Sequence, residues 1–509
     1  MTGARQQVAR AAIVITFISL FSKVLGFIRE QVIANLFGAT GLTDAYFSAW
    51  AIPLMLVGLF GGAISTAFLP VFLRLMGQSK REEAWRLASN IWRFSLLILT
   101  GVTALAYLAA PLITRLLVPS FDQATQDLTT AMLRVMLPSV VLMGTATLYS
   151  AVLNAHKQFA WPAIAPAAMN IVLVGTTVLF TYRYGIMGLA SSTLFGVLAQ
   201  QALLWWQVRR NKMPMFRFSR NLEGVGQVWK LAVPILLGTL FSQVYVFVDK
   251  GLASGLDTGS IASLNYASKL VQLPIGIFVA ALATAIYPTL AELAGRKDLR
   301  GLSRTVSTGV RTLSSLILPA AVGMAVLRIP LVTLAFQRGS FDAAATQKTA
   351  FALAFYSIGL FGVANIQVIT RAFYAMEDSA TPVRIGITTA LLNIVLDVLL
   401  VRSLRQGGLA LANSTAVLVQ MGWLLYLLRR RLKAPYGLFK PLSQLFISSA
   451  LMGVVVAFAY PVFKPLGQIA ALVATSGLGA VAYVLMLWLM GYEDVKRLYR
   501  MVAKRLGLT

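Results

Sequence analysis

Long apolar runs separated by short polar breaks fill the chain from about residue 11 to about residue 490. A run of roughly 20 apolar residues can cross a bilayer as a helix with all its backbone groups satisfied. Fourteen such spans are predicted, at roughly 11–37, 46–73, 92–118, 127–154, 160–182, 186–208, 229–254, 261–291, 310–335, 348–374, 382–402, 407–429, 441–463 and 467–490. The pattern therefore predicts an all-α polytopic membrane protein. Several spans are longer than the bilayer requires, so tilt or kinking is expected. Pro53 and Pro274 can kink the second and eighth spans, and Gly58, Gly61 and Gly62 suit either a hinge or close packing there.

The spans repeat. Leu20-Phe21-Ser22 returns as Leu240-Phe241-Ser242, an offset of 220 residues. At the same offset Phe121-Asp122 returns as Phe341-Asp342, Pro162 as Pro382, Gly188-Leu189-Ala190 as Gly408-Leu409-Ala410, and Arg209-Arg210 as Arg429-Arg430. Two six-helix repeats follow, with the same orientation because six is even, related by a pseudo-two-fold axis along the membrane normal. The expected organisation is an N-terminal lobe at 1–208, a cytoplasmic linker at 209–228, a C-terminal lobe at 229–430, and two extra helices with a basic cytoplasmic tail at 431–509. A cavity between the lobes is the expected substrate site.

Composition sharpens this picture. The chain is 58% hydrophobic and 12% charged, whereas a soluble domain is about a quarter charged. The net charge of +27 invites a nucleic-acid reading. Most Lys and Arg instead fall in the termini and the even-numbered connections, the positive-inside pattern. No nucleic-acid partner is expected, and both termini are placed in the cytoplasm. Arg5 and Arg10 precede the first apolar run as in a signal peptide, but no small-residue cleavage motif follows promptly, so a retained first helix is predicted. Cysteine is absent, which excludes disulfides and thiol chemistry. The single histidine, His156, reads as a surface residue. There is no GxxxxGK[ST] loop for ATP, no HExxH zinc motif and no triad, so a transporter is expected rather than an enzyme.

Charges inside spans carry the functional information, because each is costly unless paired or hydrated. Lys23, Arg29 and Glu30 lie in span one and Lys269 in span eight. Lys23 and Glu30 share a helix face while Arg29 sits about 120° round, so Glu30 cannot neutralise both cations. The functional reading is a cationic wall for an anionic head group, and the bland one is a structural ion pair with Arg29 snorkelling outward. A second group has the opposite sign: Asp249 in span seven, Asn393 and Asp397 in span eleven, with Asn413 or Ser414 of span twelve to complete a shell. Such oxygens suit Na⁺ or a proton relay, or else a purely structural network.

The stretches Ser22-Lys23-Val24-Leu25-Gly26-Phe27-Ile28-Arg29-Glu30, Thr43-Asp44-Ala45-Tyr46-Phe47, Tyr266-Ala267-Ser268-Lys269-Leu270 and Arg371-Ala372-Phe373-Tyr374-Ala375 resemble the MurJ (MviN) lipid II flippases of the MOP exporter superfamily. The resemblance implies two six-helix lobes with alternating access, and a final helix pair forming a groove for the lipid tail. It implies pyrophosphate binding by Lys23, Arg29 and Lys269, an outer-gate role for Asp44, and a Na⁺ site at Asp249, Asn393, Asp397 and Asn413. Two family arginines are lysine here, at Lys23 and Lys269, which exchanges bidentate contacts for point charges. The basic pair and acidic residue found in the second helix of many members are absent here. The implied substrate is lipid II in the bacterial plasma (inner) membrane, with membrane lipids and the cell-wall synthesis machinery as partners. The implied drive is the membrane potential or a cation gradient, with no cofactor beyond a coupling Na⁺. A flippase for another undecaprenyl-diphosphate glycan and a multidrug/cation antiporter are the alternative readings.

Overall fold

The computed structural model describes the backbone of residues 2–215, 222, 224–432 and 437–495, and the side chains of these except 2–16, 241, 242, 280, 281 and 283–285. The basic tail Lys496, Arg497, Arg500, Lys504 and Arg505, and part of the linker, lie outside the described residues. Every predicted span is occupied by helix. Among the described residues, eleven helical stretches are long and apolar enough to cross a membrane. One of them, Ala160–Arg210, is two spans joined at Gly185, whose φ of 53° and ψ of −135° break the helix. The predicted spans 11–37 and 261–291 are also helical, which is consistent with the fourteen-helix plan.

The chain divides into two compact units, 1–262 and 263–509. The first unit begins with α1 (Thr2–Phe37) and α2 (Gly41–Leu56). A π-helical segment, Val57–Gly62, joins α2 to α3 (Ala63–Gly77), just past Pro53. Pro53 removes a backbone donor, and the ladder resumes with a wider turn. Gly61 backs onto Gly144, 3.0 Å from where a Cβ would stand, so close packing rather than open space surrounds that glycine. Then follow α4 (Arg81–Leu108), α5 (Ala110–Leu117), α6 (Gln123–Met136), α7 (Ser139–Ala155), α8 (Ala160–Arg210) and α9 (Val225–Ser254). Phe68, Phe72, Leu87, Tyr149 and Val152 form the centre of an apolar core that α9 joins through Val228 and Ala232. The packing boundary thus falls after α9, whereas the sequence repeat restarts before it.

The helix α10 (Ser260–Pro274) spans the division between the units. In the second unit a π-helical segment, Ile275–Val279, again follows a proline and leads into α11 (Ala280–Gly295). Next come α12 (Leu299–Val326), α13 (Arg328–Phe336), α14 (Ala343–Ala375), α15 (Ala380–Leu404), α16 (Gln406–Leu432), α17 (Phe439–Phe463) and α18 (Gln468–Leu489). One core gathers Val306, Val310, Phe373 and Leu424. Another seats α17 and α18 through Leu445, Met452, Leu472 and Tyr483. Helix α18 is tied to α12 by the Tyr483 hydroxyl donating to the Ser315 carbonyl at 2.9 Å, and the segment after it by Arg311, which bonds both carboxylate oxygens of Asp494 at 2.9 Å.

Local geometry repeats at the sequence offset. Asp122 caps α6 by accepting from the Thr125 N–H, and Asp342 caps α14 by accepting from the Ala345 N–H. Side-chain and backbone hydrogen bonds from Thr125 hold the exposed Asp122 carboxyl below the usual range. Gly185 corresponds to Arg405, which takes nearly the same dihedrals, φ 50° and ψ −131°. Past each turn the chain doubles back closely: a Cβ on Gly188 would stand 2.8 Å from the Phe180 carbonyl, and one on Gly408 2.3 Å from that of Leu400. This close approach explains why the Gly-Leu-Ala motif recurs.

Candidate functional site: a cationic helix and two buried carboxylate sites

Helix α1 packs along α8, and this contact fixes Arg29. Its Nη2 pairs with Glu30 Oε1 at 2.6 Å, and its Nη1 donates to Asn170 Oδ1 at 3.1 Å. Asn170 Nδ2 in turn reaches the Ser22 carbonyl at 3.4 Å, and Ser22 Oγ donates to the Ala163 carbonyl at 3.0 Å. Glu30 is buried at 2% side-chain exposure, while the Arg29 side chain keeps 17%. Lys23 and Glu30 are seven positions apart on the continuous helix α1, but the partner of Glu30 is its neighbour Arg29, whose long side chain bends back across the intervening angle. Lys23 is exposed and enters no ion pair among the described residues. Lys269 lies half-buried on α10, in the second unit.

Asp44 sits in the first turn of α2 and is 3% exposed. Its Oδ2 accepts from the Gly259 N–H at 2.6 Å and its Oδ1 from the Ala262 N–H at 2.7 Å. These are donors at the start of α10 that the helix itself cannot satisfy. Gly259 has a φ of 87°, and a Cβ there would lie 2.1 Å from the Ala39 carbonyl, so only glycine lets the two loops approach. A carboxylate holding two backbone donors is a strong, charge-assisted clasp.

In the second unit Asn393 Nδ2 donates to Asp397 Oδ2 at 3.1 Å, one turn along α15. Both residues are buried, and Asn393 Oδ1 has no hydrogen-bond donor among the described residues. A buried amide oxygen beside a carboxylate suits a hard cation. Asn413 is half-buried on α16, whereas Ser414, the other span-twelve candidate, already donates to the Phe355 carbonyl at 2.7 Å. Asp249 is half-buried on α9 in the first unit. Among the described residues, no cluster of three or more His, Cys, Asp or Glu could hold a metal.

Two features were missed by the sequence reading. Asn170 was passed over, although an amide inside an apolar span is the signal that singled out Asn393. His156 is not a plain surface residue: it is half-buried, stacked on Trp85 at 5.2 Å, and its Nδ1 lies 2.9 Å from the Val152 carbonyl. An aromatic partner 71 positions away in the sequence left no local trace.

The sequence profile of the family "Lipid II flippase MurJ" matches residues 33–478. The chain belongs to this family. The lipid II flippase MurJ of Burkholderia cenocepacia is 27% identical over 511 residues, covering 95% of this chain and 98% of that protein. A probable lipid II flippase MurJ of Buchnera aphidicola is 29% identical over 425 residues, 82% of each chain. A solved lipid II flippase MurJ in an inward closed conformation superposes with a TM-score of 0.82 at 25% identity, over 95% of this chain and 99% of that one. A multidrug resistance MATE transporter of the MOP superfamily reaches a TM-score of 0.71 over 83% of this chain and 98% of its own length, at 15% identity, a likeness of fold alone.

Proposed function

We propose that the chain translocates lipid II, an undecaprenyl-diphosphate-linked peptidoglycan precursor, from the inner to the outer leaflet of the bacterial plasma membrane by alternating access. As a member of a lipid II flippase family it is a transporter and not an enzyme. The observation that carries the reading is Arg29: a membrane-embedded guanidinium oriented by Asn170, balanced by Glu30, and still partly exposed. A guanidinium held this way offers paired donors to phosphate oxygens. Exposed Lys23 adds a mobile point charge, and Lys269 supplies a third cation in this proposal. The polar head enters hydrated, cationic surroundings, while the polyprenyl tail stays in lipid beside the final two helices. Neutralising the cations with substrate supplies the differential affinity that a conformational change requires.

Asp44 acts as the outer gate. Opening that face costs its two charge-assisted bonds, roughly 1.5–3 kcal/mol each. Asn393 and Asp397, with Asp249 and Asn413, would hold Na⁺, which when bound supplies coupling energy from its gradient. The membrane potential is the other drive. Both termini face the cytoplasm, the linker at 209–228 separates the two lobes, and cell-wall synthesis enzymes supply and consume the substrate.

The test is complementation of a strain depleted of its own lipid II flippase, scoring growth and outward exposure of lipid II. The wild-type chain should restore both. Arg29→Ala should restore neither while reaching the membrane at the wild-type level. Normal growth on Arg29→Ala would falsify the pyrophosphate clamp.

A further inference from the structure

Where α3 ends, α4 begins and α9 starts, the first unit carries an open cavity of about 260 Å³. Three cations line it from three places: Arg74 on α3, Lys80 in the α3–α4 turn and Arg86 on α4. Among the described residues Glu83 is the only carboxylate in its wall, and Gln227 and Gly224 close the side formed by the start of α9. Arg74 Nη2 donates to Gln227 Oε1 and has no carboxylate partner among the described residues. Lys80 pairs with Glu83 at 3.1 Å and Arg86 with Glu82 at 3.4 Å. Those pairs are half-exposed and local, the kind that holds weakly and yields readily to a stronger anion. Among the described residues the three cations outnumber their two carboxylate partners, Glu82 and Glu83, and Arg74 is the cation left over.

Two guanidinia with an ammonium form a donor set matched to phosphate oxygens. They lie in and beside the connection 74–91, one of the basic breaks between predicted spans, and basic segments next to a membrane attract anionic head groups.

We propose that this cavity is a binding site for a phosphate group, separate from the α1 transport residues, and that its occupant braces α9 against α3 and α4. The phosphate belongs to an anionic phospholipid head group or to a soluble phosphate, and the two are separable. A single cysteine at the rim, Gln78→Cys, is unique in this cysteine-free chain. In nanodiscs its alkylation by a charged thiol reagent is timed with phosphatidylglycerol, with phosphatidylcholine, and with phosphatidylcholine plus inorganic phosphate. Alkylation should slow about tenfold when the ligand stands at ten times its Kd. Slowing by phosphatidylglycerol alone assigns the lipid, and slowing by inorganic phosphate assigns the soluble anion. The protection should vanish in Arg74→Gln/Arg86→Gln and persist in Arg300→Gln/Arg304→Gln, which removes the same charge elsewhere. Equal rates in all three membranes, or equal protection in both double variants, overturns the proposal. The single-cysteine chain decides it even if Arg74→Gln/Arg86→Gln cannot be purified.

Discussion

Positions 29–30 and 249–250 occupy the same place in the two repeats, yet Arg29-Glu30 in the first stands against Asp249-Lys250 in the second. A second pair of sites differs in the same spirit. In the first repeat Gln158 Oε1 accepts from Gln207 Nε2 and Asn211 Nδ2, both at 3.0 Å. At the corresponding positions of the second, Asp378 pairs with Arg431 at 2.7 Å. The backbone beside these joints is unchanged: Lys157 has a φ of 61° and Glu377 one of 62°. Chain geometry has been kept where the chain must turn, and charge has been exchanged where side chains meet. Each half can therefore carry its own electrostatic task on one scaffold.

The sharpest way to break this comparison is to give the first repeat the order of the second. Arg29→Asp/Glu30→Lys preserves net charge but moves the carboxylate to the position that Asn170 orients. It should abolish complementation, as Arg29→Ala should, although a cation and an anion are both still present. Growth on that variant would show that position matters less than total charge.

The next prediction tests the second repeat's share. If Asn393 and Asp397 hold Na⁺, then Na⁺ at ten times its Kd should stabilise the purified chain by about 1.4 kcal/mol. K⁺ at equal ionic strength should do less, because ligand number and site size discriminate between ions. Asp397→Asn should erase the difference between the two ions in a melting experiment. Equal shifts by Na⁺ and K⁺ in the wild-type chain would make the network structural.

The smallest effect concerns the two joints. Partial burial pushes the Asp378 carboxyl up, but hydrogen bonds from Thr381 and the nearby Arg431 outweigh it and hold the carboxyl below its ordinary value. Its contribution to stability is therefore present above the unfolded value, near 3.9, and is lost as pH falls through the folded one. Arg431 is half-exposed, so Asp378→Asn should cost about 1 kcal/mol or less, and less still in high salt. Gln158→Ala should cost a similar amount with no dependence on salt or on acid pH. A salt-dependent Gln158→Ala, or a salt-independent Asp378→Asn, would remove the distinction between the joints.

The helical plan was legible because span length and the repeat are written in composition and offset. Lys23, Arg29, Asp249 and Asp397 were legible because a charge in hydrocarbon needs a reason. What escaped was pairing across long separations. Nothing local in Ala168-Met169-Asn170-Ile171 says that its amide meets a guanidinium 141 positions earlier. The π-helical turns escaped as well. Prolines and glycines announced a disturbance in the second and eighth spans, but ladder geometry is set by what the neighbouring helices can accommodate.

The turn shared by Gly185 and Arg405 has a consequence for how such a chain can change. An arginine has taken up a backbone shape that glycine adopts freely, and the chain has done so without gaining or losing a residue between Asp122 and Asn211 relative to Asp342 and Arg431. Over that stretch the halves have diverged by letter and not by length. A segment cut at matching numbers from one half would therefore meet the other with its ends already in register.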